Sequence, residues 1–320
     1  MKKPHKNLWP PLYGLALVLF TVYVLLDAFV IPRTYAAQQT AVTAAAVSSE
    51  AVQTAAVGSS SDAAASSSGS SSDASSAAAA VTDTSYSDGN ISITITQYRE
   101  NDTTIYVADV TLASVNALQT AFAQNTYGKN ITATTSAIAS QCGAILAING
   151  DYYSARSGYV VRNGVLYRDS SSDSSQEDFV LWADGSGSIV TEGSASAQAL
   201  VDQGALQVLS FGPGLVENGE ITVSENEEVG RAKASNPRTA IGVISPLHYV
   251  FVVSDGRTDA SAGLSLYQLA QFMQGLGVQT AYNLDGGGSS TMVFNGSVVN
   301  QPTTNGRIGE RKVSDIVYIG

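Results

Sequence analysis

The residues best suited to chemistry lie together in 281–294, AYNLDGGGSSTMVF. Two short apolar runs, each of strand length, flank one carboxylate, three glycines and two hydroxyls: Asp285, Gly286, Gly287, Gly288, Ser289 and Ser290. Glycine loses more backbone entropy on folding than any other residue. A run of it is retained where the chain needs positive φ or where something must approach the backbone closely. Bare N–H groups in such a turn can also line a nest for an anion. A carboxylate followed by a nest and two hydroxyls suits proton transfer or nucleophilic attack beside a negatively charged group. A tight hairpin turn capped by Asp285 would use the same residues.

Three more polar signatures border apolar runs. Residues 144–148 lead into Asn149, Gly150 and Asp151; 249–254 lead into Asp255, Gly256 and Arg257; Arg238 and Thr239 open the run 240–245. In open sheets with parallel neighbours, sites form beyond the carboxyl ends of strands, and that rule predicts one shared site for these groups. Singly, each has a plainer explanation: a turn at Asn149-Gly150-Asp151, a turn with a surface ion pair at Asp255-Gly256-Arg257, a structural arginine at Arg238. Together at strand ends they favour a site.

The inventory narrows the chemistry. Beyond the first 36 residues there is one histidine, His248, and one cysteine, Cys142, too few for a zinc centre. His248 starts an apolar run and is expected to face away from the site, which argues against a Ser-His-Asp triad. Gly287-Gly288-Ser289-Ser290-Thr291 lacks the second glycine of a nucleophile elbow, and no phosphate-binding P-loop motif is present. Carboxylates, arginines and a backbone nest remain. They suit an anionic substrate held by arginine, with Asp285 as nucleophile or base. A hard divalent cation such as calcium would also suit the Asp and Asn oxygens.

Several elements must position these groups. The alternating runs 91–98 and 104–112 predict a hairpin. Residues 114–123 and 132–141 have helical spacing, and 144–148 reads as a central strand. Residues 159–168 (YVVRNGVLYR) predict a hairpin about Asn163-Gly164. Residues 179–184 and 188–192 predict a further pair, and 195–202 a short helix. Residues 265–276 read as the best helix, capped by Ser265 and stopped by Gly277. Residues 313–319 close the domain as a last strand. The fold class expected is α+β, with mixed β-sheets and a few packed helices in one globular domain.

The address is equally legible. Residues 12–31 form an apolar run long enough to cross a bilayer, with lysines before it and Asp27 as its one charge. An uncleaved signal anchor over 1–36 is favoured over a cleavable signal peptide; either predicts an extracytoplasmic remainder. Residues 37–85 are almost wholly Ala, Ser, Thr, Val and Asp, which predicts a flexible stalk. The folded domain is then 86–320. The formal net charge is −11, and beyond residue 36 there are 12 Lys and Arg against 26 Asp and Glu. That excess argues against nucleic acid and against adhesion of the domain to anionic lipid. A single cysteine forbids an internal disulfide, and Cys142 is expected to be a buried free thiol.

The motifs AINGDYY (147–153), NPRTAIGV (236–243), DGR (255–257) and NLDGGGSSTMV (283–293) resemble the phosphodiester glycosidase family. So do NTYG (125–128), FGPGLVENGEI (211–221) and GERKVSDIVYI (309–319), in collinear order from about residue 105 onward. The resemblance implies hydrolysis of a sugar-1-phosphodiester, and bacterial relatives are linked with exopolysaccharide or cell-envelope glycans. It implies that Arg238 neutralises the leaving phosphate, helped by Arg257 and the amides of 286–290. Asp285 would be nucleophile, base or stabiliser of the oxocarbenium-like state, with Asp151 and Asp255 as further carboxylates and Asn149 and Thr239 on the substrate. Many relatives carry glycine and phenylalanines where this chain has Asp151-Tyr152-Tyr153, which puts the sugar preference in question. Two rival functions remain: a tethered glycan-binding module without activity, and a phosphodiesterase that cleaves P–O.

Overall fold

The computed structural model describes residues 9–38, 79–171, 174–226 and 235–320. Most of the expected stalk falls outside these residues. Of its described end, Ala80–Val81 and Ser85–Ser87 are strands at one edge of the largest sheet, so the fold begins before Tyr86. The fold is α+β. A nine-stranded sheet and two five-stranded sheets surround one apolar core. Ile93, Val110, Phe251 and Ile241 enter it from the large sheet, Ile148, Met292 and Val317 from the small sheet, and Phe179, Leu181 and Leu209 from the third.

Each sheet carries one helix on its other face. Leu266–Gly275 lies on the large sheet, where Leu269, Ala270 and Met273 meet Val250 and Val252. The strand His248–Ser254 is therefore buried on both faces: Tyr249, Phe251 and Val253 point to the core, Val250 and Val252 to the helix. Ser265 caps this helix, and a reciprocal bond from its backbone N–H to the Gln268 side chain completes a capping box. Thr135–Cys142 covers the small sheet through Ile138 and Ala139. Ala197–Asp202 covers the third sheet through Ala197 and Leu200.

The hairpin Ile91–Glu100 with Thr103–Leu112 forms as the alternation predicts. So does Val160–Arg162 with Val165–Arg168, where Asn163 (φ 52°) and Gly164 (φ 76°) take the left-handed turn. Residues 114–123 are not a helix. One 3₁₀ turn, Val115–Ala117, leads into the strand Leu118–Phe122, whose residues pair with Asp315–Ile319. Pairing with a strand nearly 200 residues away overrides the local helical spacing. Cys142 is only half-buried, at the C-terminal end of its helix.

Every strand pair among the described residues is antiparallel, so the parallel-sheet rule does not create the site. Antiparallel register does. Arg238–Ser245 pairs with His248–Ser254 on one side and Thr280–Asn283 on the other, with Arg238 opposite Ser254 and Ala240 opposite Asn283. The start of one strand and the ends of its two neighbours thus share one edge of the large sheet. His248 sits at the other end of its strand against Asp109 (Nε2 to Oδ1 3.1 Å), far from that edge.

Candidate active site

Thr280–Asn283 belongs to the large sheet and Met292–Phe294 to the small one. The glycine run therefore does not close a hairpin; it carries the chain from one sheet to the other. Asn149, at the end of the small-sheet strand Leu146–Asn149, pins the crossing. Its Oδ1 accepts from Thr239 Oγ1 (2.8 Å) and Thr291 N (3.3 Å), and its Nδ2 donates to the Asp285 carbonyl (2.6 Å). One fully buried amide thus ties both sheets to the backbone of the candidate carboxylate. Asn149 and Thr239 are positioning residues here.

The glycines are required by close approach. A Cβ on Gly286 would meet the Pro237 carbonyl at 2.9 Å, and one on Gly287 (φ 62°) would meet the Arg257 guanidinium at 2.9 Å. The run forms a 3₁₀ turn, Gly287–Ser289, and three of the five amides of 286–290 are bonded within the protein. Gly287 N donates to the Pro237 carbonyl, Ser289 N to Gly286 and Ser290 N to Gly287. The expected anion nest is thus partly closed, and side chains share the task of holding negative charge. Ser290 Oγ and Thr291 Oγ1 are buried without a partner among the described residues.

Asp285 is nearly buried and clamped. Arg311 Nη2 donates to its Oδ2 (2.9 Å) and Oδ1 (3.2 Å), while Arg311 Nε donates to Ser289 Oγ (2.8 Å). The Ser289 hydroxyl bonds to the carboxylate in turn. Burial pushes the Asp285 pKa above the usual carboxylate range; the Arg311 and Arg156 charges and the Ser289 bond oppose that rise. The Arg311 side chain remains 43% exposed, so it forms the solvent-side cover of a carboxylate that is otherwise enclosed. The Tyr152 ring lies 6.0 Å from its guanidinium.

More arginines face the same region. Arg257 donates through Nε (3.0 Å) and Nη2 (2.8 Å) to Asn236 Oδ1, next to Gly287. Arg238 is buried beside the run and donates from Nε to the Leu264 carbonyl (2.9 Å). Burial and the neighbouring Arg257 charge push its pKa down to about 10. Arg156 lies 4.0 Å over the Phe211 ring. Tyr152 (φ 60°) and Arg257 (φ 62°) both hold left-handed backbone without being glycine, strain of the kind that clusters at functional sites. A chain of net charge −11 thus gathers cations about one carboxylate.

The other candidate carboxylates are tied to neighbouring segments, Asp151 through both oxygens and Asp255 through one. Asp151 is fully buried; it takes Arg162 Nη2 on both oxygens (2.8 Å each), Tyr153 N on Oδ1 and Ser210 N on Oδ2. It anchors the core and offers nothing to a substrate. Asp255 accepts from Asn300 Nδ2 (3.1 Å) and Gln301 N (2.8 Å) and holds that loop against the site. Both bonds to Asp255 fall on Oδ1, whereas both oxygens of Asp151 are taken. Among the described residues no three His, Cys, Asp or Glu side chains form a group that could hold a metal ion.

Arg311 and Arg156 escaped the reading of the sequence. Arg311 lies in the GERK segment, but its partner Asp285 is 26 residues earlier, beyond any local pattern. Nothing in the residues around Arg156 marks it.

Comparisons with known proteins give the family. A family model described as phosphodiester glycosidase matches residues 142–320. Human N-acetylglucosamine-1-phosphodiester alpha-N-acetylglucosaminidase is 33% identical over 175 residues, 49% of this chain and 33% of that protein. The mouse enzyme is 31% identical over 179 residues, 50% of this chain and 34% of its own. The uncharacterized SPbeta prophage-derived protein YomE of Bacillus subtilis is 28% identical over 162 residues, 49% of this chain and 25% of that protein. The chain therefore spans between a quarter and about a third of the length of these relatives. A solved zebrafish catalytic domain of the same named enzyme, auto-inhibited by its pro-peptide, superposes with a TM-score of 0.57 at 21% identity, over 72% of this chain and 82% of that one. That likeness shows a shared fold. With more than half of its length matched by the family model, the chain belongs to the phosphodiester glycosidase family.

Proposed function

We propose that this chain is an extracytoplasmic hydrolase that cleaves the glycosidic bond of sugar-1-phosphodiesters in cell-envelope or exopolysaccharide glycans. The observation that carries the reading is one enclosed carboxylate, Asp285, ringed by Arg156, Arg238, Arg257 and Arg311. Most glycosidases need two carboxylates, one to protonate the leaving oxygen and one to attack or to activate water. Here Asp151 is spent on the fold, and Asp255 is tied through Oδ1 to the Asn300–Gln301 loop. A phosphate monoester leaves with little protonation, so a carboxylate set among several arginines suits this leaving group.

In the proposed step Asp285, once Arg311 turns to the substrate phosphate, attacks the anomeric carbon or takes a proton from the water that does. The C1–O bond breaks, its electron pair goes to the phosphate, and the arginines hold the charge that develops. An acceptor pKa raised by burial makes Asp285 a stronger base than a surface aspartate.

The test is turnover of a panel of sugar-1-phosphodiesters by the full chain in detergent, beside Asp285→Asn. Release of free sugar, lost by at least about a thousandfold in the variant, is expected of an active-site carboxylate. Glycan binding without turnover, equal in both proteins, would instead make the chain a tethered binding module.

A further inference from the structure

The helix Trp9–Phe29 is long and apolar enough to cross a membrane. The residues that follow it are built into the catalytic domain. Arg33–Thr34 pairs antiparallel with Gly128–Lys129, and Asn130 Nδ2 donates to the Ile31 carbonyl (3.0 Å). Tyr35 N donates to the Tyr127 carbonyl (3.0 Å), and Gln38 N to the Leu166 carbonyl (2.9 Å). The Tyr35 ring meets the Tyr127 ring edge-on, with centroids 5.9 Å apart. A Cβ on Gly128 would run into the Arg33 carbonyl, so the domain surface is shaped for this strap. Arg33 also pairs with Asp27 at the helix end.

The strap fixes the height of the domain. From Phe29 to Arg33 there are four residue-to-residue steps, which span at most about 14 Å. A long Ala/Ser-rich segment after the helix sets no such limit; the docked residues 33–38 do. Ordering them costs backbone entropy at each position, and the acidic domain gains nothing from an anionic lipid surface. Two consecutive tyrosines connect the strap to the site. Gly128 N donates to Tyr153 Oη (3.1 Å), the adjacent Tyr152 lies under Arg311, and Arg311 covers Asp285.

We infer that the strap presents the Tyr152–Arg311 rim to the membrane surface, so the substrate is a sugar-1-phosphodiester tethered in that membrane through its lipid alcohol. This rests on the proposed hydrolysis and on the apolar helix remaining in place. Enzyme and substrate confined to one surface meet at a raised effective concentration, but only while the linkage holds the site at the height of the phosphodiester.

The experiment uses the full chain in zwitterionic proteoliposomes with two substrates that share N-acetylglucosamine-1-phosphate: one esterified to a long prenyl alcohol in the vesicle, one to a short soluble alcohol. Residues 33–38 are replaced by a Gly/Ser stretch of equal length, and separately Tyr35→Pro removes the N–H that is bonded to the Tyr127 carbonyl. We expect both changes to lower kcat/KM on the lipid substrate by about tenfold or more and to leave the soluble substrate within about twofold. Equal effects on both substrates, no preference for the lipid substrate in the unaltered chain, or cleavage of the chain after the helix would overturn the inference. Absence of turnover on either substrate by the unaltered chain would instead remove the proposed hydrolysis itself.

Discussion

Two arginine–aspartate constellations lie close together, and they behave as opposites. Arg311 and Asp285 meet at the surface end of the site, with the guanidinium nearly half exposed. Arg162 meets Asp151 and Asp315 in the interior, where all three side chains are at most 2% exposed. The bonds are alike in length; what differs is solvent. At the surface an arginine can exchange its partner for an arriving anion, because water and substrate compensate the carboxylate it leaves. In the interior neither partner can leave without stranding a charge. Asp178 adds to the inner group, buried against Glu192 and Ser210, so carboxylates outnumber the cations there.

The comparison can be broken from either side. The largest expected effect is on stability. Arg162→Ala strands Asp151 and Asp315, and breaking a buried pair costs about 3–5 kcal/mol. Denaturant unfolding should show that loss, while Arg311→Ala should leave the midpoint nearly unchanged. Equal losses in the two variants would erase the distinction.

Next is the kinetic role of Arg311. Arg311→Ala should lower kcat/KM on a sugar-1-phosphodiester by about a hundredfold, as loss of a charged anchor at a transition state does. It should spare a neutral aryl glycoside with a good leaving group. Since Arg311 holds the Asp285 pKa down against burial, its removal should shift the acid limb of the pH profile to higher pH. Equal losses on both substrates with an unmoved limb would reduce Arg311 to a structural part.

Asp178 carries the comparison into pH: burial and the Glu192 charge push its pKa up to about 9. The folded state holds this proton when the unfolded state has released it. Stability therefore falls as pH rises from the ordinary carboxylate range toward 9, and the loss is complete above it. Asp178→Asn keeps a hydrogen there and should flatten that slope. An unchanged slope would mean that Asp178 is ionised in the fold.

What the sequence made legible follows the range of each interaction. The Asn163-Gly164 hairpin and the helix capped by Ser265 are local, and both read directly. Asp285 and its glycines were legible because the strain and close approach are written into consecutive residues. The role of Asp151 was not, because it depends on Arg162, Ser210 and the backbone of Tyr153 arriving in space. For the same reason Leu118–Phe122 read as helix until its partner strand was known. The edge that gathers Arg238, Asp255 and Asp285 was expected from parallel strands and is made by antiparallel register instead.

The central claim is that Asp285 and its arginines break the bond between the anomeric carbon and oxygen. Hydrolysis of a sugar-1-phosphodiester by the full chain in oxygen-18 water tests it most directly. The account predicts the label in the released sugar and none in the phosphate, with turnover abolished in Asp285→Asn. Label in the phosphate would mean P–O cleavage and would contradict it.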